Sequence, residues 1–223
     1  MAETGFEPRF DDLPESLPIF PLAGALLLPR GLLPLNIFEP RYLHMIEDAL
    51  GAGRMIGMIQ PQAEPSSDMA PLADGVPVYP IGCAGRISAF AEAEGGRYLI
   101  TLTGISRFTI GVELPQQRGY RRIRPDWSRY RTDLTPEDQL LIDRSRLVSA
   151  TRHFFDQHGI AADWESVERT PDEKLVTSLA MICPFSSREK QALLEAPDST
   201  ERSRVIITLM EMAALESGNA IRH

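Results

Sequence analysis

Residues 76–114 read VPVYPIGCAGRISAFAEAEGGRYLITLTGISRFTIGVEL. Two long β-type runs, 76–94 and 97–114, flank Gly95-Gly96, a pair typical of a tight hairpin turn. In the second run, Tyr98, Ile100 and Leu102 fall on one face of a strand, and Leu99, Thr101 and Thr103 on the other. The segment therefore predicts a long antiparallel hairpin.

Shorter strands surround this hairpin. Residues 17–22, 31–38 and 54–60 are apolar, and proline within the first two favours the edges and bends of a barrel. Residues 120–127 predict a last strand. Between the early strands, residues 40–50 predict a helix with Pro40 in its first turn and an apolar face at helical spacing.

The pattern changes to helices near residue 132. Helix starts are predicted at Thr135-Pro-Glu-Asp, at Ser186-Ser-Arg-Glu and at Asp198, with a further capping box at Thr170-Pro-Asp-Glu. About four helices follow from these signals. In the last one, we expect an apolar stripe to pack inward and Gly218 to end the helix; the stripe consists of Val205, Leu209, Met212 and Leu215.

Strands followed by helices predict an α+β fold, in which a β pseudo-barrel precedes a helical bundle. The expected parts are a flexible arm at 1–15, a β-rich lobe at 16–131, a helical lobe at 132–217 and a tail at 218–223.

The composition is that of a globular protein, with 43% hydrophobic residues and a net charge of −8. This charge argues against binding to nucleic acid or to an anionic membrane. No run approaches the roughly 20 apolar residues of a membrane span, and the N-terminus lacks a secretory signal. Cys83 and Cys183 are expected to be buried thiols in a reducing compartment. We therefore expect a cytoplasmic protein.

Several blocks together resemble the N-terminal domain of Lon protease. They run in family order from about residue 16 to residue 215: LPIFPL from Leu17, LPRG from Leu28, PLNIFEPRY ending at Tyr42, YPIG ending at Gly82, GRI from Gly85, LTGISRF ending at Phe108, and QALLEAPDSTER from Gln191. The resemblance implies a PUA-like pseudo-barrel followed by helices. It also implies a domain that helps to recognise unfolded or tagged proteins, which in Lon precedes a motor and a Ser-Lys peptidase.

Catalytic motifs are missing from these 223 residues. A nucleotide motor needs a GxxxxGK[ST] loop, yet the two lysines, Lys174 and Lys190, do not follow glycine. Ser187 and Lys190 are three residues apart, but their segment reads better as a helix cap than as a peptidase dyad. The four histidines form no HExxH or Cys/His cluster. We expect no ATPase or peptidase activity, no metal and no cofactor.

Apolar strands bordered by prolines could offer a face to an extended polypeptide. Candidates for this face, which could equally be plain core, are Ile19, Phe20, Leu32, Leu33, Ile37 and Phe38. Arg41 and Tyr42 are candidates in the adjoining turn, where a structural alternative is that Arg41 and Glu39 hydrogen-bond while Tyr42 packs inward. The residues assigned a structural role by the family motifs are Glu39, Pro40, Gly82, Gly104, Arg107 and Phe108.

The expected partners are unfolded or damaged polypeptides, or another protein, bound by a monomer or weak homodimer. One alternative is RNA binding through 118–131, which has six arginines, one acid and interleaved aromatics. Its candidate residues are Arg121, Arg122, Arg124 and Trp127. A second alternative is a small-molecule or hydrolytic site in a cleft between the two lobes.

Overall fold

The computed structural model describes residues 9–62, 75–137 and 140–220, with side chains described up to residue 215. The chain divides into two compact units, Met1–Pro136 and Glu137–His223. The first is built on a β-sheet and the second on helices, so the expected α+β class is confirmed.

The described residues of the first unit form six strands, one α-helix and two 3-10 segments, Phe10–Asp12 and Ser128–Leu134. The bounds of the strands and the α-helix are β1 Leu17–Pro21, β2 Leu32–Ile37, α1 Pro40–Gly51, β3 Met55–Ile59, β4 Ile81–Ala93, β5 Arg97–Gln117 and β6 Tyr120–Asp126. The sheet order is β2-β5-β4-β3-β1-β6, and β5 also pairs with β6. This additional pairing closes five of the strands into a barrel, because β5 is long enough to pair with different partners along its length.

The two ends of β5 have different surroundings. Its first residues pair with β2 on one side and with the end of β4 on the other, from Tyr98 to Thr103. Its later residues, from Thr109 to Gln117, pair with β6. We call the β2–β5–β4 part of the sheet, residues 32–37, 97–103 and 86–93, the open end. The barrel that β5 closes with β4, β3, β1 and β6 is the closed end.

Phe108 fills the centre of the closed end. It is fully buried and meets Trp127 edge-to-face, with 5.8 Å between the ring centroids. Gly57 and Gly82 make room for it, since a Cβ on Gly82 would lie 2.5 Å from Phe108 Cζ and 2.6 Å from the Met58 carbonyl oxygen. The glycine of the YPIG block is therefore required by close packing.

Residues 9–15 pack onto the barrel, although the sequence predicts a flexible arm there. Phe10–Asp12 form a 3-10 turn, Leu13 is buried, and the Pro14 carbonyl accepts a hydrogen bond from Trp127 Nε1 at 3.3 Å. The guanidinium of Arg131 covers the Phe10 ring. The rest of the predicted arm, residues 1–8, lies outside the described residues.

The second unit has five helices in its described part, one more than expected. They are α2 Arg144–His158, α3 Trp164–Arg169, α4 Asp172–Ile182, α5 Ser187–Glu195 and α6 Ser199–Ala220. The capping box at Ser186 and Glu189 is confirmed, and Asp198 caps α6 by accepting from the Glu201 amide.

Of the two other predicted helix starts, one is wrong and one is right to within two residues. Thr135 follows a 3-10 segment, the next described helix begins at Arg144, and the Glu137 carboxylate accepts from the amide and hydroxyl of Ser199 at the start of α6. Helix α4 begins at Asp172, inside the predicted Thr170-Pro-Asp-Glu segment, but Pro171 rather than Thr170 occupies the cap position. Both threonine hydroxyls donate to a carbonyl of the preceding turn, Thr135 to Thr132 and Thr170 to Ser166.

The predicted inward stripe of α6 is also wrong. Met212 and Leu215 are exposed, while Ile206, Ile207 and Met210 are buried. The helix passes through Gly218 and continues to Ala220, so the predicted tail at 218–223 begins as helix. Because α6 is apolar on several sides, periodicity alone selects the wrong one.

The two thiols are as expected. Cys83 and Cys183 are both buried, and neither forms a disulfide. Over the described residues, no helix has the length and apolar character needed to cross a membrane.

Candidate functional site

The junction of β2 and α1 is held by the residues that the sequence singles out. Pro40 occupies the first helical position, and Arg41 donates to the Glu39 carboxylate from Nε at 3.2 Å and from Nη2 at 3.0 Å. Tyr42 is buried and its ring centroid lies 4.2 Å from that of Phe20. This geometry is the one that the structural alternative for this turn describes.

The candidate peptide-contact residues therefore separate into two groups. Phe20 and Tyr42 are core residues and offer no surface to a ligand, which corrects their assignment. Leu33 is half-buried on β2, and Arg41 is largely engaged with Glu39. Phe38, directly after β2, is 61% exposed. Of the wider set, Ile19 and Ile37 are buried, whereas Leu32 is 64% exposed.

Five apolar side chains lie on one side of the open end, together with three polar ones, those of Asn36, Thr101 and Thr103. The register places Leu32 and Pro34 of β2 on the same face as Leu99 of β5 and Ala89 and Ala91 of β4. We call these five residues the apolar sheet face. A shallow groove of about 480 Å³ is lined by Pro34, Ala89, Ala91 and Leu99 of this face, and Leu32 lies outside its lining. Leu32 pairs with Thr103 and Leu99 pairs with Asn36, so the two leucines share a face of neighbouring strands but lie four residues, roughly 13 Å, apart along them. Exposed apolar side chains gathered on one sheet face are typical of a site that binds another molecule.

Leu99 was not among the predicted site residues, although the sequence held a signal for it. It is 48% exposed and pairs across the sheet with Asn36. Its strand face otherwise carries Thr101 and Thr103, so a leucine there interrupts a polar face. Phe90 is a further exposed apolar residue of the open end, with its ring 5.0 Å from that of Tyr98.

The other motif residues support the barrel. Arg107 and Asp133 form a buried ion pair, with Nη2 to Oδ1 at 2.7 Å and Nε to Oδ2 at 2.9 Å. Burial alone would lower the pKa of Arg107, but the hydrogen bonds and charge of Asp133 raise it. Gly104 lies against the backbone before β2, where a Cβ would come within 1.9 Å of the Leu28 carbonyl oxygen.

Two of the six arginines in the window pair with carboxylates of the first unit. Arg118 forms ion pairs with Glu47 and Asp48, both at 2.8 Å, and Arg121 pairs with Glu113 at 2.7 Å. Arg122 donates to the Ser16 hydroxyl at 2.9 Å.

Of the remaining RNA-binding candidates, Arg124 is exposed and Trp127 is buried against Phe108. Trp127 therefore has no exposed face on which a base could stack. Of the four named RNA-binding candidates, only Arg124 is exposed, and none of the four offers an exposed aromatic ring for stacking.

The turn between β5 and β6 is anchored to α1 by hydrogen bonds to Asp48. This carboxylate accepts from Tyr120 Oη at 2.8 Å, from Arg118 and from Gln117. Burial alone would raise the pKa of Asp48, but these hydrogen bonds lower it. Burial, with the hydrogen bond to Asp48, raises the pKa of Tyr120 to about 12.

The residues considered for a peptidase dyad serve the packing of the second unit. Ser187 is the first residue of α5, after the Ser186 cap. Lys190 is buried, and its Nζ donates to the Met181 carbonyl at 3.4 Å. Burial lowers the pKa of Lys190. The capping interpretation of this segment is confirmed.

The match to a family model decides the relationship of the chain. The model, described as the ATP-dependent protease La (LON) substrate-binding domain, matches residues 16–212. The chain belongs to this family. The match spans both units and includes all of the sequence blocks on which the resemblance rests.

Relatives and solved structures agree with this assignment. Lon protease of Syntrophus aciditrophicus is 25% identical over 221 residues, which cover 94% of this chain and 27% of the relative. Lon protease 2 of Myxococcus xanthus is 27% identical over 203 residues, covering 90% of this chain and 24% of the relative. The chain thus spans about a quarter of the length of these curated relatives.

Two solved structures share the fold. The Lon N-terminal domain protein from Xanthomonas campestris has a TM-score of 0.57 and 25% identity, covering 86% of this chain and 97% of that one. The N-terminal domain of the Mycobacterium avium complex Lon protease has a TM-score of 0.59 at 17% identity, covering 88% and 98%. The second likeness concerns the fold alone.

Proposed function

We propose that this protein binds exposed apolar segments of non-native polypeptides through the apolar sheet face. The observation that carries the proposal is the pair Leu32 and Leu99, two exposed leucines on adjacent strands of one sheet face. The groove over the open end and the exposed Phe38 beside it extend the apolar surface. Membership in a substrate-binding family supports the same role.

The energetics fit a weak, broadly selective binder. Burying a leucine side chain contributes about 1.5–3 kcal/mol, and both leucines are already partly covered. A few such contacts yield micromolar affinity once the cost of association is included. This affinity suits capture and release of many unfolded chains, and the proposed role is binding without chemistry.

The experiment compares two double variants with the wild-type protein. The probe is fluorescein-labelled α-lactalbumin that has been reduced and carboxymethylated, so that it stays unfolded, and binding is followed by fluorescence anisotropy. We expect Leu32→Ser with Leu99→Ser to weaken binding at least tenfold, because it makes the sheet face polar. The control, Val112→Ser with Ile182→Ser, changes two exposed apolar residues elsewhere and should leave affinity within about twofold.

Two results would contradict the proposal. One is absence of binding by the wild-type protein to the unfolded probe. The other is an equal loss in both double variants, which would show that general surface hydrophobicity, rather than the apolar sheet face, holds the probe.

A further inference from the structure

Strand β2 is an edge strand. In the described residues it pairs with β5 alone and stands at the end of the sheet order. An edge strand presents backbone N–H and C=O groups that have no strand partner, and these are a template for another strand.

The alternation of hydrogen bonds in the β2–β5 ladder determines which backbone groups of β2 face the free edge. Just before β2, the Gly104 amide donates to the Gly31 carbonyl at 2.8 Å, so Gly31 faces β5 with its hydrogen-bonding groups. In an antiparallel ladder these groups alternate along the strand. The odd-numbered residues of β2 therefore bond to β5, and the even-numbered ones, Leu32, Pro34 and Asn36, direct their backbone groups to the free edge.

Pro34 is consistent with this alternation, and it removes one hydrogen-bond donor from the edge. Proline has no N–H and is tolerated in a strand where its nitrogen faces away from the neighbouring strand. Proline also blunts an edge against unwanted pairing. The edge thus offers amide donors at Leu32 and Asn36, carbonyl acceptors at all three positions, and one missing donor in the middle.

One face of this edge is apolar, and the other is apolar apart from the amide side chain of Asn36. Leu32 and Pro34 lie on the apolar sheet face, and the half-buried Leu33 and Leu35 lie on the opposite face. A strand added here would place its alternate side chains beside each of these pairs. Segments that are apolar on both faces fit this arrangement, and in native proteins they are buried strands that read as continuous apolar runs.

We propose that β2 binds an extended apolar segment of an unfolded polypeptide by strand addition, with main-chain hydrogen bonds to Leu32 and Asn36. This inference rests on the proposed function and specifies the substrate class and the mode of binding. Hydrogen-bonding groups that recur at every second residue, about 6.8 Å apart, match an extended backbone and not a helix. Main-chain pairing is also independent of sequence, as capture of many substrates requires.

The test uses a labelled peptide, Lys-Lys-Val-Leu-Ile-Val-Lys-Lys, and the same peptide with its four apolar residues N-methylated. Methylation keeps the side chains and removes the amide donors, so strand addition predicts at least a tenfold loss of affinity. On the protein, Asn36→Pro removes an edge donor and should weaken binding on the order of three- to tenfold. Pro34→Ala restores a donor and should tighten binding by a similar factor.

Neither substitution removes a hydrogen bond to β5, and thermal melting of each variant checks that the fold is kept. The tighter binding expected of Pro34→Ala cannot result from misfolding. It therefore tests strand addition even if the Asn36→Pro variant does not fold. Equal affinity of both peptides and of all three proteins would overturn strand addition, while binding of unfolded α-lactalbumin would still support the proposed function.

Other results would also overturn the inference. Failure to bind the peptide while unfolded α-lactalbumin binds would show that an extended apolar segment is insufficient. Failure to bind either probe would remove the proposed function as well. Self-association in sedimentation experiments that Asn36→Pro abolishes would assign the edge to a second copy of this chain.

Discussion

The closed and open ends of the sheet share β5 yet differ in what their side chains do. At the closed end, β5 passes from β4 to β6, and Arg107 and Phe108 are buried. At the open end the same strand pairs with the edge strand β2, and Leu99 is exposed. Closure therefore determines which apolar side chains stabilise the fold and which remain available for binding.

This difference predicts opposite consequences of mutation. Substitutions at the closed end should reduce stability and affect binding only through the fold. Substitutions at the open end should leave stability almost unchanged and reduce binding directly.

The largest effect on stability is expected from Asp133→Ala. It leaves the buried Arg107 guanidinium without its carboxylate, and breaking a buried pair from one side costs about 3–5 kcal/mol. Chemical denaturation followed by circular dichroism measures the change. A loss below about 1 kcal/mol would show that water or another group replaces Asp133 and that the closed end tolerates exposure.

Gly82→Ala should come next. The new methyl group would overlap Phe108 and the Met58 carbonyl, and overpacking of this kind costs about 1–3 kcal/mol. Gly51→Ala is the matched control, since a Cβ there meets nothing within 4 Å and helix propensity favours alanine. If both variants unfold at the same denaturant concentration, Phe108 is not tightly packed against β4.

A smaller effect is expected from Tyr120→Phe, which removes one of several hydrogen bonds to Asp48 and should cost about 1 kcal/mol. The pH dependence has a definite sign. Because the folded-state pKa of Tyr120 is raised to about 12 from 10, its contribution is present below pH 10 and is lost as the pH rises towards 12. Stability measured from pH 9 to 12 should fall more steeply in the wild-type protein than in Tyr120→Phe.

Asp48, in the same cluster, gives stability a pH dependence of the opposite sign at acidic pH. The pKa of Asp48 is lowered in the folded state, so its contribution is present above the unfolded value near 4 and is lost as the pH falls below it. Equal pH profiles for the wild-type protein and Asp48→Asn would contradict this assignment.

The smallest effect on stability is expected from Leu32→Ser and Leu99→Ser. Both side chains are exposed, so each change should alter the free energy of unfolding by no more than about 0.5 kcal/mol. Denaturation of each single variant checks this. A loss of 2 kcal/mol or more would mean that the apolar sheet face is part of the core, and the contrast between the two ends would disappear.

Local sequence patterns predicted much of the closed and open ends alike. The Gly95-Gly96 hairpin, the helix after Pro40 and the strand near Tyr120 all follow from short-range signals. The second pairing of β5, with β6, did not follow, because closure depends on contacts between residues far apart in sequence. Leu32 was a candidate, but its exposure depends on β2 lying at an edge, which strand periodicity does not encode.

In the helical unit, sequence patterns failed for a different reason. The signal at Thr135 predicted a helix start, but the next described helix begins only at Arg144, and the signal at Thr170 predicted a cap at a position that Pro171 occupies instead. In α6, Arg202 is buried and donates to the Leu193 carbonyl at 2.9 Å, so a charged residue lies on the inward side. A prediction that selects the most apolar stripe of a helix does not identify a buried side that contains an arginine.

Hydrogen–deuterium exchange tests the central claim most directly. The protein is compared with and without saturating carboxymethylated α-lactalbumin. We predict new protection in peptides covering 32–37 and 97–103, with the strands around Phe108 unchanged. Protection confined to other parts of the chain, with the open end exchanging as before, would contradict the assignment of polypeptide binding to the open end.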